Sequence, residues 1–481
     1  TPMQRYLCIG VLSLLKRSTL RKSKKPGVRK MKKILATILA LVLALGLCTS
    51  AWATETGPVM NESDLKEAIN AGGAVTLGDD ITVTTTLTVT KDLEVNLNNH
   101  TLTGAGSVIL VQGAKLVVNG PGKIKEKNPD YGAIAVKGSN KAEDMNYTTV
   151  EVNKDVVLEA WAPIFVTPYQ SSGAPYAYGV TITVNGATLN AKKDSAAAGG
   201  TGVYVNGQIA HTENAPVINL TDTTICDADN ASQGMYLAGY AKTTLTDCDI
   251  SGVTGIEIRA GELTVNGGSI TGTATPIGEA PNGNGSTVTG AGIAVSQHTT
   301  MLPLTVTVNG GNIKGYSAFY QVDTLAEMED NAGGKKFTEE QVAEAVAKIT
   351  LSVNEGVYTA TGEDGQAVYS ENKTGFVSAG IFSSDVTNYL TNDAVAATVV
   401  NGNSTDYAVG STAISAAITS NSTVTVTNGS IDLTDVPAGV TVKNTGEGKV
   451  TVNGTKEVKK GDAPYTVPAK TGGYYYYPST P

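Results

Sequence analysis

Apolar and polar residues alternate in short runs along most of the chain, and one phrase recurs. Two or three β-branched residues in alternation precede Asn-Gly, and an apolar residue follows. The clearest copies are VTITVNGATL ending at Leu189, LTVNGGSI at Ile270, TVTVNGGNI at Ile313 and ITLSVNEGVY at Tyr358, with weaker copies ending at Leu102, Ile124, Ile225 and Ile250. A strand-turn unit repeated about nine times without long helices between copies predicts stacked coils around one apolar interior.

A second strand series, usually introduced by Gly, lies between the Asn-Gly copies. Its members are GAIAV (132–136), APIFV (162–166), GVYV (202–205), GMYL (234–237), GIEI (255–258) and GIAV (292–295). The shortest coils leave about 20 to 25 residues per step, whereas a propeller blade needs roughly 40 or more. The pattern therefore predicts an all-β fold, a parallel β-helix with three-sided coils. An antiparallel sandwich is the main structural alternative.

The composition changes near both ends. Met31 is followed by Lys32, Lys33, an apolar run over 34–47 and Ala-Trp-Ala at 51–53, which is typical of a secretory signal. An unusually long signal or a membrane anchor is the alternative. The predicted organisation is 1–30 an upstream non-biological or disordered segment, 31–53 a signal peptide, 60–389 the β-helix, 390–466 a smaller β unit, and 467–481 a Tyr/Pro-rich linker.

Short helices are expected at the start of both β units. The first covers Glu62–Asn70, with Ser63 as N-cap and Gly72 as the stop, and would cover the end of the stack. The second lies at 411–418. Insertions are expected at 167–179, 275–290 and 323–348, and the last contains a helix capped by Thr338 and Gln341.

Charge excludes some partners. Eleven of the 35 basic residues and none of the 44 acidic ones precede Thr54, so the rest of the chain carries 24 basic and 44 acidic groups, a net charge of −20. Such a surface does not bind nucleic acid or anionic membranes by charge. Beyond the signal peptide we expect no membrane contact, and cations, neutral glycans or proteins as partners.

Two cysteines follow the signal, Cys226 and Cys248. If Ile225 lies over Ile250, Cys248 lies beside Thr223, and the offset disfavours a disulfide. In the same register Asp222 lies over Asp247, about 5 Å away at the usual strand spacing. These two carboxylates either share a cation, for which Ca²⁺ is the candidate, or stay solvated at a turn.

Catalytic motifs are sparse. Arg259, the only arginine after the signal, lies two residues from Glu257 on one outward strand face, which predicts a surface ion pair. Its functional alternative is a catalytic base. The histidines are scattered, and the sequence contains no nucleophile elbow, phosphate loop or zinc spacing. The recurring Asn185, Asn266, Asn309 and Asn354 are interpreted as turn formers or a side-chain ladder.

Aromatic residues form the most prominent predicted surface feature. With Ile164, Val203 and Met235 pointing inward, their neighbours in the second strand series point outward on three successive coils. These outward residues, and three tyrosines of the nearby loop, are the candidate ligand-binding set: Phe165, Tyr204 and Tyr236 with Tyr169, Tyr176 and Tyr178. Such rings suit sugars or a protein partner. A stacked ladder that only stabilises the fold is the alternative.

The opening segment 63–104, the Asn-Gly coils and the run AGIFSSDV at 379–386 resemble right-handed parallel β-helix (pectin-lyase-like) surface proteins of Gram-positive gut bacteria. Ala379-Gly380-Ile381 departs from the Gly-Gly-Thr usual there. The resemblance implies a secreted, extracellular adhesion or glycan- or protein-binding module without enzymatic activity, attached to a cell wall through a region beyond Pro481. The alternatives are a polysaccharide lyase or hydrolase using Asp222, Asp247 and Arg259, and a passive spacer.

Overall fold

A computed structural model describes residues 57–128, 131–170, 175–194, 199–226, 231–282, 285–323, 325 and 336–469. The expectations for the upstream segment, the signal peptide and most of the C-terminal linker lie outside these residues. The described chain is mainly β, and its strands build long parallel sheets. Among the described residues, no helix combines the length and apolar character needed to cross a membrane.

Helix α1, Glu62–Ala71, precedes the first strand. Its N-cap is Asn61, whose side chain accepts a hydrogen bond from the backbone N–H of Asp64 at 3.1 Å. The predicted cap, Ser63, is therefore two residues too late. Gly72 ends the helix with φ 77°, as predicted. The helix buries Leu65 and Ile69 against the end of the apolar interior.

Each of the first six repeats contains three strands. Their bounds are β1 Gly73–Thr76, β2 Ile81–Val83, β3 Leu87–Val89, β4 Leu93–Asn96, β5 Thr101–Gly104, β6 Ile109–Gln112, β7 Lys115–Asn119, β8 Gly122–Glu126, β9 Gly132–Lys137, β10 Thr148–Val152, β11 Val156–Ala160, β12 Ala162–Thr167, β13 Val180–Asn185, β14 Thr188–Ala191, β15 Gly200–Val205, β16 Val217–Thr221, β17 Thr224–Cys226 and β18 Ala231–Leu237. In most of these strands alternate residues are buried, because a strand points successive side chains to opposite faces.

In the next four repeats the first two strands merge into one strand that continues through the Asn-Gly corner. The bounds are β19 Lys242–Gly252, β20 Thr254–Ile258, β21 Gly261–Gly272, β22 Gly278–Asn282, β23 Gly285–Thr289, β24 Ala291–Ser296, β25 Leu304–Gly315, β26 Ser317–Val322, β27 Ile349–Ala360 and β28 Val368–Ser370. The predicted insertion at 275–290 forms an antiparallel hairpin, β22–β23. The insertion before β27 contains α2, Glu339–Ala347, with the predicted capping box of Thr338 and Gln341.

Strands of successive repeats pair in parallel, mostly in register, with local shifts after Gly200 and at Asn309. The second strand series forms one sheet of ten strands, in which β3, β6, β9, β12, β15, β18, β20, β24, β26 and β28 are neighbours in that order. Ile225 pairs with Ile250 and Thr224 with Asp249, which places Cys248 opposite Thr223, as predicted. Cys248 is a buried free thiol. The inward Leu, Ile and Val residues form one core cluster that runs from Val59 to Val409.

After the tenth repeat one more strand, at 380–382, pairs in parallel with β27, and the chain then reverses direction in a hairpin at 396–409. Its remaining elements are β29 Gly380–Phe382, a 3-10 helix Thr387–Tyr389, β30 Ala396–Asn401, β31 Ser404–Val409, α3 Ser411–Ala417, β32 Thr423–Asn428, β33 Ile431–Leu433, β34 Thr441–Asn444, β35 Val450–Val452, β36 Lys456–Val458 and β37 Tyr465–Thr466. Strand β31 pairs antiparallel with β29, so the last parallel edge is covered. A second core cluster lies among residues 397–467, while the exact domain boundary at 390 stays a prediction.

Candidate functional site

The outer face of the ten-stranded sheet carries one residue per repeat in a single row. Parallel register aligns the following positions of successive strands: Phe165, Tyr204, Tyr236, Glu257, Ala294, Tyr320 and Tyr369. Phe165, Tyr204 and Tyr236 therefore point outward on three successive coils, as the alternation predicts. We call the seven aligned residues, from Phe165 to Tyr369, the outer row.

The aromatic rings of Phe165, Tyr204 and Tyr236 contact one another in edge-to-face and tilted arrangements. Ring centroids are 5.0 Å apart between Phe165 and Tyr204 and 5.5 Å apart between Tyr204 and Tyr236, and Trp161 lies 5.5 Å from Tyr204. All three predicted row residues are half-buried. Burial raises the pKa of Tyr204 to about 12. These contacts favour the stabilising ladder, and ligand binding by the rings stays a prediction.

The tyrosines of the nearby loop form a separate cluster. Tyr176 and Tyr178 stack with centroids 5.1 Å apart, and Tyr178 lies 4.1 Å from the His211 ring. His211 accepts a hydrogen bond at Nε2 from the backbone N–H of Ala177 at 3.1 Å. Tyr169 joins this loop by donating its backbone N–H to the carbonyl of Tyr176 at 2.6 Å. Among the described residues no ring contact links this cluster to the outer row.

Glu257 and Arg259 do not form the predicted surface ion pair, because both side chains are fully buried, with 0% exposure. Arg259 donates from Nη1 to the Tyr236 hydroxyl at 2.6 Å and lies over that ring at 5.9 Å. The Glu257 carboxylate accepts hydrogen bonds from Gln233 Nε2 and Ser296 Oγ, both at 3.0 Å. The strand face is outward, as predicted, but other parts of the chain cover it.

The hairpin β22–β23 is one of those covering segments. The backbone N–H of Val288 donates to Glu257 Oε1 at 3.4 Å, and Val288 packs in a small apolar cluster with Ala294 and Val322. Desolvation raises the pKa of Glu257 to about 7, against the lowering effect of Arg259. Burial and the charge of Arg259 lower the pKa of His298 to about 3. This buried polar cluster is out of reach of a polymer on the surface.

Asp222 and Asp247 lie at the same position of adjacent repeats, as predicted. Both are exposed turn residues, with φ 47° and 51°, and Asp222 donates its backbone N–H to the Thr246 carbonyl at 3.0 Å. Aspartate tolerates this left-handed conformation, which accounts for its presence at the turn. No group of three or more candidate metal ligands occurs in the described part of the chain, and two further acids close in sequence, Asp227 and Asp229, lie outside it. Ca²⁺ binding stays a prediction.

A groove runs along the Asn-Gly corner of the later repeats, and the sequence interpretation missed it. Parallel register aligns Gly268, Gly311, Gly356 and Gly380 at successive coils. The backbones of neighbouring coils pack closely here, so a Cβ added to Gly311 would lie 3.0 Å from the Gly268 carbonyl oxygen. The aligned glycines form the floor of a groove. With no side chains there, the corner is recessed between two rows of longer residues. We call this recess the corner groove.

One wall of the corner groove is a ladder of asparagine amides. Asn309 Nδ2 donates to Asn266 Oδ1 at 2.9 Å, and Asn354 Nδ2 donates to Asn309 Oδ1 at 2.9 Å. Ser378 Oγ continues the ladder by donating to Asn354 Oδ1 at 3.1 Å. The predicted side-chain ladder is thus confirmed for these positions. The three amides are also exposed, so they remain accessible from the groove.

The opposite wall is formed by Asp249, Ser269, Asn312, Val357 and Ile381, which pair in register across successive strands. The groove has a volume of about 1050 Å³. Gly410 and the α3 residues 411–413 and Ala416 also line it. Its lining contains the carboxylates of Asp247, Asp249 and Glu355 and no Lys, Arg or His side chain. The arrangement can donate and accept hydrogen bonds along its length, and it disfavours anions.

The signal for this groove was present in the sequence as Asn-Gly-Gly followed by Ser or Asn in consecutive repeats, at 266–269 and 309–312. The sequence pattern alone assigns the asparagines to turns or a ladder and gives the following glycines no role in a groove. No family model, curated protein or solved structure matches this chain. The geometry of the corner groove therefore carries the functional conclusion.

Proposed function

We propose that the protein is a secreted or cell-surface, right-handed parallel β-helix of the pectin-lyase-like type. In this proposal it binds an extracellular glycan in the corner groove without cleaving it. The in-register parallel pairing of ten repeats and the three strands per coil in the first six support the β-helix. The signal-like segment at 31–53 supports secretion.

The single observation that carries glycan binding is a long groove whose walls combine amide, hydroxyl and carboxylate groups with apolar residues such as Val357 and Ile381. Sugars offer hydroxyl groups that donate and accept, and asparagine amides can meet both roles. Ligand sites are concave and place a few polar groups that fix orientation. A concave glycine floor between the two walls lets a flat ring approach the backbone closely.

Catalysis at Arg259, the runner-up, is less well supported. Arg259 and Glu257 are fully buried, and the Val288 backbone bonds to the Glu257 carboxylate. A polysaccharide would have to displace the covering segments before it contacted the guanidinium group. A general base must come within hydrogen-bond reach of the proton that it removes. Non-enzymatic binding needs no such rearrangement.

The test is calorimetric titration of the purified protein with a panel of soluble plant, host and bacterial polysaccharides. The variant Asn312→Trp places a large side chain on the groove wall and should abolish binding. Thr350→Trp is the matched control, because Thr350 is exposed on β27 away from the groove lining, and it should bind as the wild type does.

Equal binding by wild type and Asn312→Trp would refute the corner groove as the site. Wild-type protein that binds none of the glycans would favour a passive spacer. New unsaturated or reducing ends after prolonged incubation would instead support the lyase or hydrolase.

A further inference from the structure

The corner groove is lined by successive coils, and three consecutive coils carry an asparagine at the same position. Five consecutive repeats line it, from the repeat of Asp247 to that of Gly380. Parallel strands lie about 4.8 Å apart, so five repeats span about 19 Å between the first and the last. The register shifts locally at Asn309, which pairs with Glu355. The pairings Ser269–Asn312 and Asn312–Val357 show that the alignment is restored on the opposite wall. A ligand in the groove therefore meets a regular series of subsites.

The amide ladder gives the three central subsites the same polarity. An asparagine side chain has two N–H donors and two acceptor lone pairs. Asn309 uses one donor toward Asn266 and one lone pair toward Asn354, which leaves one donor and one lone pair for a ligand. Because every ladder bond runs in one direction, neighbouring amides are oriented alike and polarise one another. The groove therefore presents amide donors and acceptors at its three central coils, those of Asn266, Asn309 and Asn354.

We propose that the ligand is an uncharged linear polysaccharide that lies parallel to the stacking direction, with one pyranose unit at each coil. This inference rests on the proposed function and specifies its ligand. An equatorially linked pyranose in an extended chain is about as long as one coil step. An extended peptide advances only about 3.3 Å per residue and falls out of phase with the coils.

The charges of the lining select against acidic polymers. Asp247, Asp249 and Glu355 all line the groove, and no cationic side chain does. A uronate in any of the subsites would experience repulsion from carboxylates and find no counter-charge. The glycine floor adds no charge and accepts the face of a ring. Neutral hexoses and pentoses with equatorial linkages fit both conditions.

The test is a chain-length series measured by calorimetry. The probes are β-1,4-linked gluco-, manno- and xylo-oligosaccharides of two to eight units, together with a matched oligouronate series. Affinity for one neutral series should rise about three- to tenfold per added unit, the range expected for one or two net hydrogen bonds. The rise should end at five units, because longer chains extend beyond the groove.

Variants locate the subsites. Asn309→Ala removes the central amide and should lower the affinity for the five-unit chain about fivefold or more. Asn185→Ala is the matched control, because Asn185 lies at the equivalent position of an earlier repeat outside the groove lining, and it should leave affinity unchanged. Thermal melting of both variants establishes that each is folded.

Each other outcome overturns the inference in a distinguishable way. Polysaccharide binding that Asn312→Trp abolishes, without length dependence or with preference for oligouronates, would overturn this ligand assignment and leave the proposed function intact. Binding of an intact polysaccharide without binding of any neutral β-1,4-linked oligosaccharide would also overturn the ligand assignment and leave the proposed function intact. No binding of any glycan would overturn both proposals.

Discussion

Glu257 provides a direct test of how the outer face of the ten-stranded sheet is covered. The side chain is fully buried, and desolvation raises its pKa to about 7 from an ordinary 4.5. A raised pKa means that the folded state favours the protonated form. The contribution of the protonated Glu257 carboxyl group to the free energy of unfolding is therefore complete below about pH 4.5 and is lost as the pH rises through about 7. A shift of that size corresponds to about 3 kcal/mol.

The perturbation is Glu257→Gln, which keeps the shape of the side chain but cannot ionise. The assay is the free energy of unfolding by denaturant, measured for wild type and variant between pH 4 and 8.5. The contributions of most other titrating groups to the pH dependence cancel when the free energies of the two proteins are subtracted. Relative to the variant, the wild type should lose about 3 kcal/mol between pH 4.5 and 8. Most of that change should centre between pH 5 and 7.

A flat difference, or one in which the wild type gains stability with pH, would refute this reasoning. A flat difference would mean that Arg259 and the hydrogen bonds balance desolvation, and a gain would mean that they outweigh it. Hydrogen exchange of the Val288 amide, measured in parallel, reports whether the hairpin stays closed over the carboxyl group. Exchange of Val288 that is fast at every pH would show that the hairpin does not cover Glu257.

Two further predictions concern the outer row and the stacked acids. Tyr236→Phe removes the hydroxyl that accepts from buried Arg259 at 2.6 Å, so the free energy of unfolding should fall by about 2 kcal/mol, and an unchanged denaturation midpoint would contradict this contact. If Asp222 and Asp247 share Ca²⁺, millimolar Ca²⁺ should raise the melting temperature of the wild type but not of Asp247→Asn. Superimposable wild-type melting curves with and without Ca²⁺ would argue against that site.

Local sequence was sufficient to predict the strands and their facing. β-Branched residues in alternation bury one side of a strand, so the inward positions Val203 and Met235 and the outward positions Tyr204 and Tyr236 follow from a period of two. The same alternation predicts from sequence alone that Ile225 pairs with Ile250, because a one-residue slip would turn the apolar side outward. The capping box at Thr338 was equally readable, since it is formed within one helical turn.

The surroundings of the outward residues depend on segments distant in the chain. Glu257 and Arg259 were expected in solvent, but Val288, 31 residues beyond Glu257, bonds to its carboxylate. Nothing near Glu257 in sequence specifies where that hairpin folds back. The corner groove has the same origin, because Gly268 and Gly311 form one floor only when their coils stack in register. Alternation acts along a single strand, whereas burial, charge environment and concavity arise between strands that packing brings together.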